Sequence, residues 1–404
     1  MTTSAYAAAK RRSIWSISPW HIENCFQMKV FSTTLKERLR QLDFVIILCA
    51  AGMTAISVMT LYGVRDDYTA GSRMFVVQLG AAVLGFISMV IISLVDYDAF
   101  LTKLWIPMFF ASIFLMALVY VLGEGASTDS DQKLYIDLGI VTWQVSETVK
   151  FTFILSFSKH ADLVKKHINS PKNLLFLLLH AAIIVGLVIL TGDLGSALVF
   201  ICIFAAILFS AGLSLWYFAG AIAVCVVALP FVWPHLSLYQ QMRILCGFDP
   251  TIDPDNYGYQ ALRSLDTIAA GGIFGQGING GGEYLNLPVA TTDFLFSVMC
   301  EKFGFLGALV YLILMGIIIF RIIRVAKHSR KDVGAFLCTG VLAVLIAQTT
   351  ENMGMCLAVL PVIGITMPFM SYGGSSMLMT WVMLGLVQSV RLHNTKYYFE
   401  REDA

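Results

Sequence analysis

The chain has 404 residues, of which 58% are hydrophobic and 13% charged, with a formal net charge of +1 and a mean hydropathy of +0.77. A soluble globular domain carries about 25% charged residues, so a soluble fold is excluded and an all-α integral membrane protein is indicated. The net charge says nothing about nucleic acid, and no interleaving of basic and aromatic residues suggests a nucleic-acid partner, so none is expected.

The first 41 residues are basic, with Lys10, Arg11, Arg12, Lys29, Lys36, Arg38 and Arg40, and contain no continuous apolar stretch of signal-peptide type. They are expected to form a cytoplasmic tail, with IWSISPWHI (14–22) resting on the membrane surface. Ten apolar segments follow, at 42–63, 74–95, 104–122, 142–158, 173–190, 194–211, 215–233, 303–321, 333–350 and 372–390. Each approaches the roughly 20 residues needed to cross hydrocarbon. The fourth opens with Gln144, Glu147 and Lys150, so it is either short or set deep in a bundle. The fifth and sixth are joined only by TGDL, a tight turn.

Lys and Arg gather in the N-terminal tail, around Lys159–Lys172 and around Arg321–Lys331, whereas Asp66, Asp67, Glu124, Asp137 and the acids of 234–302 fall in the alternate loops. The positive-inside bias then places both termini in the cytoplasm and 234–302 outside. The expected organisation is a tail (1–41), a ten-helix membrane domain (42–392) with one large outer loop, and a C-terminal tail (393–404). The eight cysteines are scattered, several in apolar runs, with no metal-ligand spacing; they read as apolar fillers.

Segment 234–302 has the room for an elaborated site. Within it, ALRSLDTIAAGG reads as a short amphipathic helix stopped by Gly271 and Gly272. The glycine-rich GQGINGGGEYLNLP that follows lacks the Lys-Ser/Thr of a phosphate-binding loop, which argues against a nucleotide. The segment ends in VATTDFLFSVMCE (289–301), with Asp293 at the mouth of a membrane helix. A carboxylate at that depth is costly and marks a functional site by default. Thr292–Asp293 before an apolar run also fits a helix N-cap, and both readings stand.

TGDLGSA (191–197), the DP–GYQ stretch (253–260), GGIFGQG (271–277), TTDFLFSVMCEKFGFLGA (291–308) and LPVIGITMPFMSYGGSS (360–376) resemble, in order, the SEDS family of shape, elongation, division and sporulation proteins. The last motif looks nearer the RodA branch than the FtsW branch. The resemblance implies a peptidoglycan glycosyltransferase of the bacterial inner membrane. It would polymerise lipid II on the outer face, release undecaprenyl diphosphate, and work with a class B penicillin-binding protein transpeptidase in an elongation or division complex. The family's key aspartate falls on Asp293, its arginine before the Asp-Pro loop on Arg243, its Gln-Pro-Ser-Glu motif on Gln144, Ser146 and Glu147 with Lys150 one turn on, and its Pro-Asp-Leu-Gly aspartate on Asp193. Departures are Thr291 for the usual His, Val145 and Gly192 for prolines, Val289 for an acid, and Glu301–Lys302 for a Glu-Glu pair.

Such a polymerisation needs a base for the acceptor 4-hydroxyl, a cation for the departing diphosphate, and a groove for polyprenyl tails. No separate acid is required, since diphosphate already leaves well. Asp293 suits the base. Arg243 suits a diphosphate clamp or an interfacial snorkelling role, and Arg263 is a second candidate. Glu147 and Lys150, at helical i,i+3 spacing, suit either a neutralising pair or substrate positioning beside Gln144. Asp193 suits a turn cap or site support. Thr292, Ser371 and Ser375 are candidates for the wall of the sugar site, though the small residues of SYGGSS also suit close helix packing. Asp249, Asp253 and Asp255 could hold a divalent cation such as Mg2+ or Mn2+; no other cofactor is expected. Two rival classes are a lipid II flippase or transporter, which predicts matched repeats that are not evident, and a scaffold, which predicts that Asp293 is dispensable.

Overall fold

The computed structural model describes residues 35–124, 133–137, 139 and 142–394. The basic clusters at 10–12 and 29, the surface-resting segment 14–22 and the end of the C-terminal tail (395–404) lie outside the described residues. Residues up to Leu42 form a unit separate from Asp43 onward; its described helix is α1 (Leu35–Arg40).

Helices occupy all ten predicted apolar positions: α2 (Phe44–Gly63), α3 (Gly71–Leu94), α4 (Tyr97–Leu122), α5 (Val145–Val164), α6 (Pro171–Leu190), α7 (Leu194–Ser210), α8 (Leu215–Val232), α11 (Leu295–Lys327), α12 (Asp332–Cys356) and α13 (Gly374–Leu392). Two further helices, α9 (Leu238–Phe248) and α10 (Tyr259–Gly271), lie in the long loop, and a hairpin of β1 (Tyr135–Asp137) and β2 (Thr142–Gln144) precedes α5. Among the described residues, seven helices are long and apolar enough to cross a membrane. The other three expected spans fall on α5, which carries four charged side chains, α7 with 17 residues, and α13 with 19.

Local chemistry sets the helix starts. Asp43 caps α2 by accepting from the Val45 N–H, Asp96 caps α4 through the Asp98 and Ala99 N–H groups, and Pro171 opens α6 where no N–H is needed. Hydropathy places the start of the third span seven residues late because the first turn of α4 is polar. The fourth is deep in the bundle, with Glu147 and Lys150 at 2% and 1% exposure. The eighth begins upstream of its expected start, at Leu295, and breaks at Gly304, where φ 69° and ψ −168° suit glycine. A Cβ there would lie 2.3 Å from the Ile273 carbonyl oxygen.

Helices α12 and α13 are buried along most of their length, with α3 against α13, α2 against α11, and α7 against α12. Helix α8 has no buried residue. Side-chain contacts sort the connections onto two ends. Asp67–Tyr284 and Ser146–Asp193 mark the end bearing Asp293. Asp43–Arg321, Asp98–Lys331 and Lys165–Asp332 mark the other. The two groups alternate along the chain.

Candidate active site

Asp293 sits on a sharp turn just before α11, flanked by buried Ala290, Thr291 and Phe294. Val289 closes the turn at φ 49°, accepting from the Thr292 and Phe294 N–H groups and the Thr292 hydroxyl. Positive φ at a β-branched residue is strained and collects at functional sites. The N-cap position of α11 is Phe294, without a side-chain cap. The half-buried Asp293 carboxylate therefore caps no helix and, among the described residues, accepts no hydrogen bond. Desolvation pushes it up to about 6 from its ordinary 3.8; nearby Arg243 pulls it down and Asp193 pushes it up.

Two loops are held around this carboxylate. Asn352 of α12, fully buried, donates from one Nδ2 to the Asp293 carbonyl (2.6 Å) and to the Ile365 carbonyl (2.7 Å). Gly364 at φ 80° lies so close that a Cβ would stand 3.2 Å from Asp293 Oδ2. The neighbouring Val362 carbonyl accepts from Arg243 Nη2 at 2.5 Å. Arg243, on α9, thus braces the loop beside Asp293 while lining a cleft of about 430 Å³ with Gly247, Asp255, Asn256, Tyr257, Tyr259, Gln260, Pro288 and Val362. Tyrosines, amides and a guanidinium suit a sugar joined to a phosphate.

Behind the carboxylate lies a buried polar chain. Asp193 caps α7, accepting from the Ser196 N–H (2.9 Å), and its other oxygen accepts from the Ser146 hydroxyl (2.9 Å). Next to Ser146, Glu147 accepts from Lys150 Nζ at 2.6 Å and from Gln348 Nε2 at 3.3 Å, and its Oε2 is buried with no partner. At that burial the Glu147–Lys150 pair stands behind the cleft rather than in it. Tyr135 of β1 lies within reach of all three acids: burial first, then Asp293, Asp193 and Glu147, push its phenol above the usual range.

A family model described as cell cycle protein, spanning FtsW, RodA and SpoVE, matches residues 40–396. The chain belongs to this family. A protein of Geobacter sp. (strain M18) named probable peptidoglycan glycosyltransferase FtsW is 30% identical over 366 residues, covering 87% of this chain and 97% of that one. Peptidoglycan glycosyltransferase MrdB of Escherichia coli (strain K12) is 30% identical over 322 residues, covering 78% and 85%. A solved structure described as the structural coordination of polymerization and crosslinking by a peptidoglycan synthase complex matches with a TM-score of 0.75 at 29% identity, covering 88% of this chain and 99% of that one. A crystal structure of the rod shape determining protein RodA of Thermus thermophilus, an Asp-to-Ala mutant, matches with a TM-score of 0.65 at 25% identity over 88% and 99% of the two chains. Relatives named FtsW and solved structures named RodA both match, so the comparisons do not resolve the RodA preference suggested by PVIGITMPFMSYGGSS.

The other candidates on this family scaffold are dispersed. Arg263, on α10, pairs with Asp266 at 3.2 Å and lies over the Tyr259 ring, outside the residues lining the cleft. Gln144 gives its backbone N–H to the Ser375 hydroxyl, so Ser375 ties α13 to β2. Ser371 is buried, accepting from the Met367 N–H, and its carbonyl accepts from fully buried Gln78. Thr292 serves the Val289 turn. Asp249 accepts from Thr251 and Asp253 from Asn256. Among the described residues no group of three His, Cys, Asp or Glu side chains could hold a metal ion.

Sequence alone gives no role to Tyr135, in an unassigned linker, or to Gly364, inside a motif; Glu351–Asn352 suits close helix packing first and a wall of the sugar site second. Helix α9, which carries Arg243, was also unread, although Ser237 and Gln240 form its capping box.

Proposed function

We propose that this chain is a peptidoglycan glycosyltransferase that polymerises lipid II at the outer face of the bacterial inner membrane, with Asp293 as general base. The carrying observation is the state of that carboxylate: half-buried, uncommitted to any cap, raised towards neutrality, and beside an arginine-lined cleft. A base works best with a pKa near the working pH. The oxygen of the acceptor 4-hydroxyl attacks the anomeric carbon of the donor and passes its proton to Asp293. The bond from that carbon to the diphosphate oxygen breaks with its electron pair on the leaving group, inverting the centre to give a β-1,4 link. Arg243 meets the charge that develops on the diphosphate. Asp193, Ser146 and the Glu147–Lys150 pair hold the surrounding helices, and Asn352 and Gly364 position the base.

The names of the relatives support the activity, and the synthase complex among the structural matches supports a class B penicillin-binding protein as partner. The charge bias of the loops supports an outward-facing site and cytoplasmic termini. Reconstitution of wild type and Asp293→Asn in liposomes with labelled lipid II and the partner transpeptidase tests the reading. Glycan strands should form with wild type only. Equal strands from both would remove Asp293 from the base role, and lipid movement without polymer would favour a flippase.

A further inference from the structure

The end of the bundle away from Asp293 holds a second polar cleft, which the proposed chemistry leaves unused. From Gly304 to Arg324, α11 runs roughly 30 Å at 1.5 Å per residue, so the two clefts are separate. Its floor is Asp43, whose side chain is 1% exposed. One Asp43 oxygen accepts from Arg321 Nη2 (2.6 Å) and Nε (2.9 Å), and also from Arg391 in the last turn of α13. Gln388 latches the same residue by its backbone, accepting from the Asp43 N–H at 2.8 Å and donating to the Asp43 carbonyl at 3.1 Å. Arg324, His328 and Asn394 complete a cleft of about 290 Å³.

Arginines in last helical turns complement the helix dipole and reach for water at a membrane boundary. Neither role calls for a buried carboxylate between two of them. Burying an ion pair costs solvation and returns it only with well-made geometry, and here the geometry fixes two guanidinium planes. Among the residues lining the cleft, three arginines and His328 accompany one aspartate. Among the described residues, Arg321 Nη1 makes no hydrogen bond and Arg324 has no carboxylate partner. Fixed, part-exposed guanidinium forks match phosphate oxygens.

We propose that this cleft binds a phosphate-bearing anion, either the headgroup of an anionic phospholipid or a free phosphate. Its rim is formed by the ends of α11 and α13, two helices read as membrane spans, and span ends meet the headgroup region of a bilayer. The test uses the full-length protein in detergent. Native mass spectrometry reads retention of phosphatidylglycerol against phosphatidylcholine, and a thermal-shift assay reads inorganic phosphate and pyrophosphate. Wild type, R324Q, R321K and K331Q are compared; K331Q removes a nearby charge outside the cleft, and R321K keeps a charge for Asp43 but loses the fork. Phosphatidylglycerol retention that weakens about fivefold in R324Q and R321K, but not in K331Q, supports the site with a lipid as source. Stabilisation by phosphate or pyrophosphate that is lost in the same two variants supports it with a soluble source. Retention and stabilisation unchanged in both arginine variants, or reduced equally by K331Q, would overturn it. R321K keeps the buried pair charged, so the outcome does not depend on R324Q folding.

Discussion

Replacing Arg243 by Gln should move the acid limb of the polymerisation rate to higher pH. As the proposed base, Asp293 would act only when ionised, so the wild-type rate should rise through about pH 6 and then level. Arg243 is the one neighbour that holds this carboxylate down; burial and Asp193 push it up. An opposite charge a few ångströms away lowers a carboxylate by about 1 to 3 pH units, and the lower figure applies to an arginine that also braces Val362 and faces an open cleft. The R243Q midpoint then falls near pH 7. At pH 6 the ionised share drops from half to roughly one-tenth, about fivefold in rate, whereas at pH 8.5 ionisation is complete in both and only the loss of diphosphate contact remains. The assay is initial rate of glycan formation from saturating lipid II in liposomes between pH 5 and 9. A uniform loss at every pH, with the midpoint unmoved, would refute the electrostatic coupling and leave Arg243 as a substrate contact alone.

Four further outcomes follow from the same geometry. Because the folded state raises Asp293 from 3.8 to about 6, it favours the protonated form; that stability is complete below pH 4 and is lost as pH rises through 6. Asp293→Asn should therefore match wild type in thermal stability at pH 4 and exceed it at pH 8, by at most about 3 kcal/mol; a lower melting temperature at pH 8 would contradict this. Asn352→Ala leaves two carbonyls without their donor, costing roughly 1 to 3 kcal/mol for each buried group, and should lower both melting temperature and kcat. Gly364→Ala combines a positive-φ penalty of about 1 kcal/mol with a methyl against Asp293 Oδ2, so kcat should fall further than the melting temperature suggests. Glu147→Gln leaves Lys150 buried without its counter-charge, so it should destabilise more than the double change E147Q/K150M, read by thermal unfolding in detergent.

Hydropathy made the helices legible because hydrocarbon demands long apolar runs whose backbone is satisfied internally. It blurred their ends wherever a polar first turn belongs to the helix, as at Asp96 and Asp98. Asp293 was legible as an acid at a helix mouth, but its freedom from capping was not. Thr292–Asp293 before an apolar run is also what a cap looks like, and only the placement of Phe294 at the N-cap decides between them. Arg243 and Arg263 look alike in sequence, both on short helices of the long loop. Val362 and Asp266 separate them, and the first of those partners is 119 residues away. The grip of Asn352 on carbonyls 59 and 13 residues off is likewise a tertiary fact. The Glu301–Lys302 departure turned out to be structural. Glu301 accepts from the Gly282, Glu283 and Tyr284 N–H groups, and Lys302 donates to the Gly280 carbonyl, folding the glycine-rich loop onto α11.

The most direct measurement is the titration of the Asp293 carboxyl itself, by infrared difference spectroscopy of the reconstituted protein with Asp293→Asn as the blank. The protonated C=O band unique to wild type should disappear with a midpoint near pH 6, coinciding with the pH at which polymerisation reaches half its maximum. A carboxyl already ionised at pH 4, or a rate that rises at a different pH from the band, would contradict a proton-accepting role for this residue.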